Sequence, residues 1–201
     1  MKNIITIPHT QSIHHTNGML GGWAGWDLTE FGIEQAKRIG EKLSREIKDN
    51  KYIMYSSDLL RAKHTAEIIA GFLGIEPIFT ATLREINLGE ANGKSKEWAR
   101  ANDLGRIRTI DDRQYAGAES TRELWNRLLG FLKEIMDIAE ENIIIVSHGI
   151  SLSIFHAIWL GLDVEMLNRC GLPSGGGLSF MHEDSDKKRI ISRLSDRSYS
   201  R

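Results

Sequence analysis

Asn142-Ile143-Ile144-Ile145-Val146-Ser147-His148-Gly149 is the stretch on which the reading of this chain turns. Four β-branched residues in succession, with no polar alternation, mark a strand buried on both faces, as in a sheet covered by helices on either side. The run ends in Ser147-His148-Gly149, and Ile150 to Leu160 continues as a buried helix. A buried strand feeding directly into a buried helix is half of a crossover unit.

The same alternation recurs upstream. Asn3 to Ile7 reads as a first strand, and Thr29 caps a helix to about Ile47 with Ala36, Ile39, Gly40, Leu43 and Ile47 on one face. Tyr52 to Tyr55 reads as a second strand, followed by a helix that buries Leu59, Ala62, Ala66, Ile69 and Leu73. Ile75 to Thr80 is a third, which Pro77 places near an edge. Ser120 and Glu123 form a capping box for a helix to about Ala139, with Leu124, Leu128, Phe131, Leu132 and Ile135 inward. Leu178 to Met181 and Arg189 to Ile191 read as late strands, and Ser195 to Arg201 as a frayed end. The expected fold is a three-layer α/β/α sandwich on a mostly parallel sheet, in one domain over 1–201.

Residues 92–118 lose periodicity and turn polar, with Arg100, Arg106, Arg108 and Arg113 beside Asp103, Asp111 and Asp112. Two readings stand: a solvated excursion with a short helix at Lys96 to Ala101, or a lid that selects the substrate.

Composition narrows the function classes. The chain has 201 residues, 41% of them hydrophobic, and a net charge of -1, which gives no overall electrostatic footprint for nucleic acid or a membrane surface. Cys170 is the sole cysteine, so an intramolecular disulfide is impossible and a thiolate zinc site is disfavoured. Without a leader-like start or a bilayer-length apolar run, the expected location is the cytoplasm. Neither a nucleic-acid nor a membrane partner is expected, and a homodimer is admitted.

In open parallel sheets, ligands bind beyond the carboxyl ends of the strands. Here the first strand delivers Pro8-His9-Thr10-Gln11-Ser12. The second delivers Ser56-Ser57-Asp58 with Arg61 one turn on, and the buried strand delivers Ser147-His148-Gly149. Singly, each histidine reads as a polar cap and the arginine as an ion-pair partner. Together at one edge they read as a site.

At this point a family resemblance emerges. Ile7-Pro8-His9-Thr10-Gln11-Ser12 resembles the Arg-His-Gly-Glu-Thr signature of the histidine phosphatase superfamily, the phosphoglycerate mutase-like fold. Gly22-Trp23, Asp27 to Gly32 and Gln35-Ala36 resemble its next segment, and Tyr55 to Ala62 with Thr65-Ala66-Glu67 its second-arginine motif. Leu83-Arg84-Glu85-Ile86 with Gly89-Glu90 and Gly93, then Gly117 to Ser120, then Val146 to Gly149, complete the order.

The resemblance implies that His9 is a nucleophile forming a phosphohistidine, and that Arg61 and His148 stabilise the equatorial oxygens. Glu85 would be the acid, with a raised pKa or a shared proton. It implies substrate contacts from Thr10, Gln11, Ser12, His15, Gly22 and Gly149, a small phosphorylated substrate, and neither metal nor cofactor. A phosphatase is expected over a mutase, because the segment between Glu85 and His148 is short.

Four positions depart from the pattern: Pro8 replaces the first arginine, Thr10 a glycine, His15 an asparagine and Met19 an arginine. Losing a bidentate arginine costs on the order of a hundredfold in rate unless something compensates. His14 and His15 are the nearest substitutes, and a protonated His15 would restore part of the charge. The residue types also admit a metal site at His9, His14 and His15, though no carboxylate or thiolate accompanies them. The alternative to an enzyme is a phosphate- or metabolite-binding protein that kept the fold. A dinucleotide enzyme is set aside, because no Gly-x-Gly-x-x-Gly follows the first strand.

Overall fold

The computed structural model describes residues 1–47, 51–105, 109–173 and 176–200. A six-stranded sheet in the order β3-β2-β4-β1-β5-β6 forms its centre. β1 (Asn3–Pro8), β2 (Ile53–Ser57), β3 (Pro77–Thr80) and β4 (Asn142–Ser147) run parallel. β5 (Leu178–Glu183) pairs antiparallel with β1, and β6 (Arg189–Asp196) antiparallel with β5. The expected α/β architecture is observed, with an antiparallel extension on one side.

β4 shows why its sequence is apolar throughout. Ile143 and Ile145, with Ile4 of β1, pack into one core with α4 (Thr121–Asp137) and α5 (Gly149–Trp159). Ile144 and Val146, with Ile5 and Ile7, pack into the opposite core with α1 (Glu30–Glu46) and α2 (Leu60–Leu73). Each face is covered, and each fully buried aliphatic contributes about 1.5–3 kcal/mol. No helix among the described residues is long and apolar enough to cross a membrane.

Caps and helix faces follow the sequence closely. Thr29 Oγ1 accepts from Gly32 N–H at 3.0 Å. Glu123 closes the Ser120 capping box at 2.9 Å. Gly32 is required by proximity, since a Cβ there would lie 2.0 Å from the Gln11 carbonyl oxygen. The start of α1 thus rests directly on the loop after β1.

Differences lie at element ends. β2 begins at Ile53 and runs to Ser57, drawing Ser56 and Ser57 into the sheet, while Leu73 is only half-buried at the exposed end of α2. The expected frayed tail is ordered: Asp196 caps a 3-10 turn at Arg197–Tyr199, and Tyr199 is buried against α1 with its hydroxyl on Glu46. An aromatic with a core to enter offsets the entropy of the terminus. Arg201 lies outside the described residues.

Residues 92–118 form α3 (Lys96–Ala101) as expected, and a small apolar cluster of Ala91, Ala99, Tyr115 and Ala118. Leu20 N–H donates to Lys94 O at 2.8 Å and Lys96 N–H to Gly18 O at 3.0 Å, stitching this segment to the loop after β1. Arg106 and Arg108 lie outside the described residues.

Candidate active site

The carboxyl ends of β1, β2 and β4 bring His9, Arg61 and His148 together. His9 N–H donates to Ser147 O at 2.8 Å, locking its backbone to the end of β4. Its ring lies 5.1 Å from that of His148, at 62°. Arg61 Nε donates to His9 Nε2 at 3.1 Å. Arginine can only donate, so the network assigns the lone pair to Nε2 and the proton to Nδ1, which donates to Thr10 O at 2.8 Å. Burial, then the charge of Arg61, holds His9 well below the usual histidine range, so the ring is neutral at pH 7.

Arg61 is the second residue of α2, against the helix dipole, and its other donors explain the position. NH2 donates to Gly22 O at 2.8 Å and NH1 to Ala24 O at 3.2 Å. Gly22 makes this possible at φ +48, where a Cβ would lie 2.1 Å from Asn92 Oδ1. Burial lowers Arg61 to about 10, partly offset by Glu85, leaving a fixed cation. Gly22 therefore orients the guanidinium.

His148 is fully buried, with Nε2 2.8 Å from Ser57 Oγ. Ser57 Oγ also accepts from Leu59 N–H at 3.3 Å; in the tautomer in which it donates its own hydrogen to His148 Nε2, the imidazole proton falls on Nδ1. That Nδ1 has no partner among the described residues. Buried donors are nearly always satisfied, so an orphan beside a guanidinium marks a place for an acceptor. Gly149, the first residue of α5, adds a helix N-terminus to the same side.

Glu85 reaches this helix end. Its carboxylate accepts from Ile86 N–H (3.0 Å), Ser151 N–H (3.1 Å), Ser151 Oγ (3.1 Å) and Ile150 N–H (3.3 Å). Arg127 supports it from behind, donating to Glu85 O at 3.0 Å and Thr82 O at 2.6 Å and pairing with Glu119 at 2.7 Å. Sequence reasoning assigned no role to Arg127, Glu119, Ser57 or Ser151. Arg127 carried a signal, since it stands among Leu124, Leu128 and Phe131 on the buried stripe of α4.

Thr10, Gln11 and Ser12 are occupied in holding the loop. Thr10 N–H donates to Thr65 Oγ1 at 3.2 Å, Gln11 N–H to Gln35 Oε1 at 3.1 Å, and Ser12 Oγ to Asp27 O at 2.7 Å. His14 and His15 lie in the next turn, with rings 5.8 and 5.4 Å from His9. Burial, then His15, Arg61 and Lys96, lowers His14 to about 3. Burial, then Arg61 and Lys96, lowers His15 as well. His15 is thus disfavoured as the replacement charge. Pro8 faces a cleft of about 10 Å³ lined by Gly149, Leu152, His156, Pro173, Gly177 and Ser195.

The comparisons place the chain in a family. Residues 4–195 match the model of the histidine phosphatase superfamily, branch 1. A phosphoserine phosphatase 1 of Hydrogenobacter thermophilus is 28% identical over 199 residues, covering 96% of this chain and 92% of that protein. A 2,3-bisphosphoglycerate-dependent phosphoglycerate mutase of Rhizobium rhizogenes is 31% identical, covering 86% of each chain. Among solved structures, Bacillus stearothermophilus YhfR superposes with TM-score 0.83 at 23% identity over 100% of both chains. A mycobacterial glucosyl-3-phosphoglycerate phosphatase complexed with VO3 gives 0.81 at 20% identity over 98% of this chain and 100% of that one. With strand ends converging on His9, Arg61 and His148 and a family match spanning nearly the whole sequence, this chain belongs to the histidine phosphatase superfamily.

Proposed function

We propose that the protein is a phosphatase that hydrolyses a small phosphomonoester through a phosphohistidine at His9. The observation that carries this reading is His9 Nε2 bonded by the Arg61 guanidinium, with the His148 ring 5.1 Å from the His9 ring and its buried Nδ1 without a partner among the described residues. Arg61 Nε turns its hydrogen bond from His9 Nε2 to a phosphate oxygen, the freed lone pair attacks phosphorus, and the bond to the leaving oxygen breaks as Glu85 delivers a proton to it. Water then attacks the phosphohistidine, losing its proton to Glu85 and releasing inorganic phosphate. Arg61, His148 Nδ1 and the Gly149 end of α5 hold the equatorial oxygens, where charge accumulates.

The neighbouring sequences include both phosphatases and mutases. The brevity of the segment between Glu85 and His148 favours water as acceptor, and residues 92–118 are proposed to select the leaving group. Pro8 favours a second reading, a phosphate-binding protein with little turnover, because the first guanidinium of the family pattern is absent.

A screen of phosphorylated metabolites and an aryl phosphate against the wild type and His9→Ala separates the two. Turnover that survives chelation and is lost in His9→Ala supports the phosphatase. Tight phosphate binding without turnover in the wild type supports the binding protein.

A further inference from the structure

The loop after β1 sets two further histidines beside His9 that the phosphatase reading does not use. His9, His14 and His15 each offer one ring nitrogen, and these atoms lie within 4.8 Å of one another. We propose that the trio is a binding site for a transition-metal ion, best matched by Zn²⁺, which captures the lone pair of His9 and switches the pocket off. The inhibitory consequence rests on the phosphatase reading; the binding does not.

The ring environments supply what a metal site needs. A ligating histidine usually donates its other N–H to an oxygen, which fixes the tautomer. His9 Nδ1 does so to Thr10 O at 2.8 Å. His14 Nδ1 lies 3.0 Å from Ser12 Oγ, whose hydrogen is committed to Asp27 O, so His14 is the donor and its Nε2 keeps the lone pair. His15 is the ligand that must adjust. Its Nδ1 accepts from Ser12 N–H at 3.2 Å, and ligation through Nε2 gives up that contact. The side chain is exposed. Tetrahedral zinc with nitrogens at 2.0–2.1 Å sets them about 3.4 Å apart, so the trio closes by roughly 1 Å.

The identity of the ion follows from the donors and the surrounding charge. Three imidazoles without a carboxylate match Zn²⁺ or Cu²⁺ and leave Mg²⁺ and Ca²⁺ without their oxygen ligands. Arg61 opposes any cation and must release its bond to His9 Nε2, so only an ion with high imidazole affinity succeeds. Three ligands leave a fourth position open, where hydroxide or phosphate offsets the charge.

The test is calorimetric titration of the metal-stripped full chain with Zn²⁺, and its absorption spectrum with Co²⁺. Expected are one ion per chain, a tetrahedral Co²⁺ spectrum, no comparable Mg²⁺ binding, and zinc affinity about 100-fold weaker in His14→Gln and in His15→Gln. His64→Gln, outside the trio, serves as the control and keeps wild-type affinity. Unchanged affinity in both trio variants, or an octahedral Co²⁺ spectrum, overturns the site. Zinc bound at the trio with turnover unaffected overturns the inhibition alone. Zinc bound to a wild type that never turns over phosphate esters counts against the phosphatase reading and leaves the site standing.

Discussion

Replacing His148 by leucine together with Ser57 by alanine separates what the pocket does for phosphate from what it does for the fold. Among the described residues His148 Nδ1 is buried without a partner, while Nε2 and Ser57 Oγ satisfy one another at 2.8 Å. An unsatisfied buried polar group costs about 1–3 kcal/mol, whereas exchanging both members of a hydrogen-bonded pair for apolar groups is nearly neutral. The one further bond surrendered is the long contact from Leu59 N–H at 3.3 Å. The double variant is therefore expected to be as stable as the wild type, or more stable by about 1–2 kcal/mol, on urea unfolding at unchanged m-value. Its affinity for phosphate or vanadate should fall, since a hydrogen bond to a charged group contributes about 1.5–3 kcal/mol, roughly 10- to 150-fold. Calorimetric titration with vanadate beside urea midpoints reads both. A variant destabilised by more than about 2 kcal/mol with unchanged vanadate affinity would refute the assignment of Nδ1 as a waiting donor.

Glu85→Gln should slow turnover by about 10²–10⁴ for poor leaving groups and far less for aryl phosphates, with Glu90→Gln as control. Equal losses would reduce Glu85 to a cap for α5. His156, buried beside Thr6, is lowered by burial to about 4. The unfolded chain therefore binds a proton below about 6.5 that the folded one refuses, and stability should decline by about 3 kcal/mol between neutral pH and pH 4. His156→Gln should remove that share of the slope in urea midpoints taken at both pH values, and parallel slopes would be the contrary result. Pro8→Arg combined with His15→Asn should raise monoester hydrolysis by at most tenfold to a hundredfold. The narrow cleft at Pro8 makes the same change cost about 1–3 kcal/mol of stability. Unchanged hydrolysis would mean that this loop does not grip phosphate.

Much of the fold was legible because it rests on local, periodic demands. The apolar run of β4, the Thr29 and Ser120 caps and the stripe of α4 each state a burial pattern within one element, and the structure places them as expected. The convergence of His9, Arg61 and His148 was legible too, because parallel strands present their carboxyl ends to one edge. Element ends and the tail were not. Tyr199 looks like a terminal residue until α1 and Glu46 are beside it.

Within the site, sequence alone determined which residue types arrive at the edge and which positions, Pro8 above all, do not match the family pattern. Only the tertiary structure decided what each does there. Thr10, Gln11, Ser12 and Gly22, expected on substrate, also hold the loop and the guanidinium, because Thr65, Gln35, Asp27 and Arg61 reach them from distant parts of the chain. The proton positions on His9 and His148 depend on Arg61 and Ser57, which lie 52 and 91 residues away. A side chain's hydrogen-bonding role is set by the partners packed against it, and those partners are a property of three dimensions.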